Sequence, residues 1–153
     1  MLNLTEEQKK KVASISKAFA DAQLPYVYGA EVKLNTPPEV ILARRQAFDC
    51  SEFIEYLFYQ VTDGAVKVPD GAKYQYDFSK RNKIDENKAE IGDLVFKQKN
   101  GEINHIAVII EVKPIIQIAE FEGWHKKIII RSLAVFRNVK PGASQPVDGI
   151  FRF

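Results

Sequence analysis

The chain has 153 residues, 46% of them hydrophobic and 27% charged, which fits one globular domain with a sizeable core spanning residues 1–153. Its net charge of +2 argues against a nucleic-acid footprint, and no apolar run approaches the roughly 20 residues of a membrane span. A single cysteine, Cys50, excludes an internal disulfide. The first residues, MLNLTEEQKKKVASISK, are polar and lack the apolar core of a signal peptide. Synthesis in the cytoplasm is expected, with any action outside requiring release or delivery.

Residues 5–22 read as a helix, with Thr5 and Gln8 at capping-box spacing and Val12, Ile15 and Phe19 at helical intervals. Pro25 and Gly29 break the pattern, and LNTPPEVILARRQAF reads as a loop in which Pro37 and Pro38 exclude helix before Glu39. A second helix is expected from about Asp49 to Val61, with Cys50, Phe53, Ile54, Leu57, Phe58 and Val61 on one stripe. Residues 62–90 are polar and read as loops with room for one short helical turn. Strands are expected at 93–98, 103–112, 115–121, 127–136 and 149–153, with Asn100-Gly101 as a hairpin turn. Helices precede strands, so the expected class is α+β with a mostly antiparallel sheet.

Cys50 stands where chemistry is expected. Asp49 can cap the helix, and Glu52 lies three residues on as a capping-box partner. A thiol at the first helical position meets free N–H groups that favour the thiolate and could also receive an oxyanion. The opposing reading is a small buried hydrophobe on the apolar stripe. The balance turns on a base. His105, at the start of the most apolar strand, is the stronger candidate, and His125, in EGWHKK, reads as a turn residue. A third polar group normally orients the imidazole. A turn centred near Glu111 places Gln117 opposite His105, whereas one centred at Val112-Lys113 brings Glu120 there; spacing leaves both open. One cysteine and two scattered histidines offer no zinc spacing, and there is no glycine-rich phosphate loop. Neither a metal nor an organic cofactor is expected.

Together the segments PYVYGA, FDCSEFIEYLF, VPDGAKYQ and IGDLVFKQKNGEINHIAVII, with Gln117 twelve residues after His105, resemble the NlpC-type cell-wall cysteine peptidases. The resemblance implies a papain-like fold with a nucleophile helix packed on an antiparallel sheet. It implies hydrolysis of amide bonds in peptidoglycan stem peptides, commonly between γ-D-glutamate and a diamino acid. It carries over Cys50 as nucleophile, His105 as general base and acid, and Gln117 as orienting residue. Tyr28 matches a groove-lining tyrosine, and Asp49 and Ser51 match the residues flanking the nucleophile. Glu52 replaces the usual glycine, adding a carboxylate and bulk beside the thiol. The stretch 30–47 is expected to wall the groove. A phage lysin or a delivered effector with a cognate inhibitor or immunity protein fits such a chain, acting as a monomer. Competing readings are an amidase or acyl transferase of the same fold, and a non-catalytic binding module.

Overall fold

The computed structural model describes residues 1–153. The N-terminal half is helical. Helix α1 (Glu6–Asp21) starts where expected: Thr5 accepts the Gln8 N–H, and the Gln8 side chain accepts the Thr5 N–H in return. Helix α2 (Pro38–Arg44) was expected to be loop. Two prolines forbid helix before them, but Pro38 occupies the first helical position, where its missing N–H costs nothing and its fixed φ suits the turn. Helix α3 (Cys50–Val61) and helix α4 (Ala72–Ser79) follow, α4 being a full helix where a single turn was expected.

The C-terminal half is the sheet. Its strands are β1 (Lys83–Ile84), β2 (Leu94–Lys99), β3 (Glu102–Glu111), β4 (Gln117–Glu122), β5 (Lys127–Ser132), β6 (Gln145–Pro146) and β7 (Ile150–Phe151). The spatial order is β1-β7-β2-β3-β4-β5, with β6 pairing β2, and every pair is antiparallel. The strand expected over 127–136 stops at Ser132, because the Ser132 hydroxyl accepts the Val135 N–H and starts helix α5 (Leu133–Arg137).

The sheet is buried on both faces. One face carries Phe96, Ile106, Val108 and Ala119 against α1 and α3, in a core that includes the rings of Phe19, Phe48, Phe53, Tyr56 and Phe121. The other face carries Val95, Ala107, Ile109 and Ile118 against Leu133 and Phe136 of α5. This explains why β3 is continuously apolar. The C-terminus locks on through Arg152, whose guanidinium forms a fork with buried Asp93 at 2.6 and 2.8 Å.

Two registers position the site. In β2–β3, Lys97 stands opposite His105 but Gln98 stands opposite Ile103, so Asn104 is an extra, bulged residue beside the histidine. In β3–β4, Val108 pairs with Ala119 and Glu111 with Gln117. The connection is thus centred two to three residues beyond Glu111.

Candidate active site

The mouth of α3 is built locally. Asp49 Oδ1 accepts the Glu52 N–H at 2.8 Å and the Ser51 hydroxyl at 3.2 Å, while Oδ2 accepts the Gly29 N–H at 3.2 Å. One carboxylate therefore caps the helix and holds the segment 25–31 against it. Cys50 occupies the first helical position and is 9% exposed.

His105 comes to this thiol from β3. Its Nε2 lies 2.9 Å from Glu120 Oε1, which leaves Nδ1 for the Cys50 side. Burial opposes a charged ring. Hydrogen bonds to Cys50 and Glu120, and their negative charge, overcome it and push the His105 pKa up to about 9. Glu120 is fully buried on β4. Burial would raise its pKa, yet His105 and then Arg131 hold it below the ordinary carboxylate value. Arg131 Nε and Nη2 reach its two oxygens at 2.7 and 3.2 Å. Beneath them the His105 ring stacks on Phe136, with centroids 6.2 Å apart.

The expectation for Gln117 is corrected here. Gln117 stands opposite Glu111 on one side and Ser132 on the other, away from His105. The turn centre lies beyond both registers that spacing had left open, so Glu120 is not directly opposite His105, but its carboxylate still reaches the ring. Arg131, which neutralises Glu120, had no sequence signal, since it lies on a strand whose register was unknown.

Tyr28 is 88% exposed and lines the groove wall. Tyr26, two residues earlier, is the tyrosine beside Cys50. Its N–H donates to the Lys126 carbonyl, and the flanking segment pairs with Phe48, threading it between α3 and the β4–β5 turn. Burial, followed by the charge of Cys50, pushes its pKa up to about 12, so its hydroxyl stays protonated.

Glu52 does not complete a capping box. It is 7% exposed and accepts the Val32 N–H at 2.7 Å, tying the groove wall to α3. Glu52, Glu55 and Asp70 each place a carboxylate oxygen within 4.8 Å of the others, the spacing a cation site needs. Burial and the neighbouring charges of Glu52 and Asp70 push Glu55 up to about 8, so this cluster shares a proton at neutral pH.

The groove has two lobes. A cavity of about 460 Å³ is lined by Cys50, Asp49, Ser51, Glu52, Tyr28 and Asp70. A second, of about 290 Å³, is lined by His105, Lys97, Glu122, Trp124 and Ser144. Tyr26 and Asn104 line both, so the lobes meet at the thiol and imidazole. His125 lies outside them; its ring and backbone N–H are bound to Glu122 at the β4–β5 turn.

A thiol at a helix N-terminus, facing an imidazole carried on an antiparallel sheet, defines a papain-like α+β fold. The sequence model of the NlpC/P60 family matches residues 23–133. This protein belongs to the NlpC/P60 family.

Solved structures agree on the fold. The NlpC/p60 domain of peptidoglycan hydrolase SagA superposes with a TM-score of 0.60 at 22% identity, covering 94% of this chain and 98% of that domain. A Staphylococcus aureus protein described as similar to lipoprotein of the NLP/P60 family gives 0.64 at 18% identity over 94% of this chain and 43% of that one. NlpC1 from Trichomonas vaginalis gives 0.67 at 12% identity over 100% and 46%. This chain thus spans less than half the length of the last two. No curated protein matches it by sequence. No helix is long and apolar enough to cross a membrane.

Proposed function

We propose that the protein is a cysteine hydrolase that cleaves amide bonds in peptidoglycan stem peptides. The observation that carries the reading is the relay from Cys50 at the start of α3, through His105, to Glu120. Family membership and the likeness to the SagA domain support the substrate class.

The chemistry follows from that geometry. His105 takes the thiol proton, and the thiolate attacks the amide carbon. The Cys50 backbone N–H, free at the first helical position, faces the developing oxyanion. His105 then protonates the departing amine, and water hydrolyses the thioester. Glu120 holds the imidazole by Nε2 and stabilises its charged form. Asp49 and Ser51 shape the acyl side of the groove. The bond cut is that between γ-D-glutamate and a diamino acid, and the site of action is the bacterial wall.

The test is incubation with defined diaminopimelate-type wall fragments, read by mass spectrometry. Cleavage after γ-D-glutamate that disappears in Cys50→Ala is expected. Release of a lactyl-linked peptide would identify an amidase instead, and no product from any wall type would overturn the reading.

A further inference from the structure

Lys97 is a charged side chain without a partner in the second lobe of the groove. It stands directly opposite His105 across the β2–β3 ladder and is only 8% exposed. The neighbouring cations and anions are matched: Arg131 forks onto Glu120, and Glu122 binds the Trp124 and His125 N–H groups and the His125 ring. Lys97 Nζ lies 4.4 Å above the centre of the Phe136 ring and has no hydrogen bond or ion pair. A cation–π contact holds the charge, but its N–H donors have no protein acceptor and face the open lobe. Burial lowers its pKa, Glu120 opposes this, and Arg131 adds repulsion. An anion beside Nζ would relieve all of these costs.

The direction of catalysis says which part of a substrate arrives there. The acyl half must lie over Cys50 and the α3 N-terminus, in the first lobe. The departing amine must lie at His105, which protonates it. Substituents on that amine therefore continue past His105 into the lobe lined by Lys97, Asn104, Trp124 and Ser144. Asn104 is already turned aside, its Nδ2 donating to Ser144 Oγ at 2.8 Å. Lys97 is the lobe's free cation.

We propose that Lys97 binds a carboxylate on the amine-side residue of the substrate and so selects leaving groups that carry one. The inference rests on the hydrolase reading for its orientation. A diamino acid with a free second carboxylate is the matching chemistry, and its amidated counterpart is the mismatch.

Binding of free diaminopimelate and of its diamide to the full chain separates the two claims. The readout is NMR of the Lys97 ε-methylene and the His105 ring. Diaminopimelate should shift both signals and raise the Lys97 titration midpoint. Lys97→Met should weaken its binding at least about tenfold, as expected for a charge-assisted contact, and Lys97→Arg should restore most of it. The diamide should bind wild type and Lys97→Met alike. Equal affinity of wild type for diacid and diamide, an unmoved Lys97 signal, or a diacid preference that survives in Lys97→Met would each overturn the proposal. On cleavable wall fragments the same pairing should appear as a Lys97-dependent KM for the diacid alone. Lys97-dependent diacid binding without cleavage of any wall fragment would refute the hydrolase reading while leaving the anion site standing.

Discussion

Replacing Glu120 by glutamine removes one charge and almost no volume. The wild-type ring holds its proton at about 9 instead of the ordinary 6.5, a difference worth about 3 kcal/mol. That sum contains contributions from Cys50 and Glu120 and is net of the burial that opposes them. With a neutral glutamine, the Nε2–H hydrogen bond can persist, but the Glu120 charge is lost and Arg131 keeps a buried face without its anion. Breaking such a pair costs about 3–5 kcal/mol. The sign with pH follows from the direction of each shift. His105, raised, contributes stability that is complete below about 6.5 and lost as pH rises through about 9. Glu120, lowered, contributes stability present above its unfolded value near 4.5 and lost as pH falls through its folded value. Stability is therefore expected to peak between these limits and to decline from about 6.5 to 9. In Glu120→Gln that alkaline decline should flatten, and the His105 midpoint should fall. The assay is denaturant unfolding across pH, paired with ring-carbon NMR titration that resolves His105 from His125. The variant should also lose hydrolysis, though less than Cys50→Ala. Gln117→Ala is the control, expected to change stability by less than about 0.5 kcal/mol and to leave the His105 midpoint in place. A wild-type His105 titrating near 6.5, or an unmoved midpoint in Glu120→Gln, would refute the reasoning.

Asp49→Ala should cost about 1–2 kcal/mol in denaturant unfolding, since it removes the α3 cap and the tie to Gly29 together. Glu55, raised to about 8 by burial and then by the charge of Glu52, costs stability that accrues as pH rises from its unfolded value near 4.5 and is complete above about 8. Glu55→Gln should therefore be more stable than wild type above pH 8, and the gap should close toward pH 5, as thermal unfolding at the two pH values would show.

The local parts of the site were legible because their physics is local. Asp49 caps α3 through an N–H three residues away, so the sequence alone placed Cys50 at a helix mouth. Thr5 and Gln8 announced α1 in the same way. The Asn100-Gly101 turn fixed the β2–β3 hairpin by its own left-handed backbone, with φ of 53° and 78°. Helix α2 was missed because its prolines were read as breakers when one of them is a starter. Helix α5 was missed because Leu133, Val135 and Phe136 read as a continuation of the strand begun by Ile128–Ile130, and only the Ser132 cap ends it.

The sequence determined that one thiol would sit at a helix N-terminus and that one histidine would lie on a buried strand, because each follows from hydrogen bonds and periodicity within a few residues. Which polar side chain backs that histidine was decided by tertiary structure. The β3–β4 turn lies two to three residues beyond Glu111, and that pairing brings Glu120 rather than Gln117 to His105, with the opposite face of β4 turned to the ring. Equally, only the folded sheet could reveal that Lys97, ordinary in a run of surface-like residues, is buried opposite His105 with its charge unmatched. Strand register and burial are sums over contacts distant in the chain, and no short window of sequence contains them.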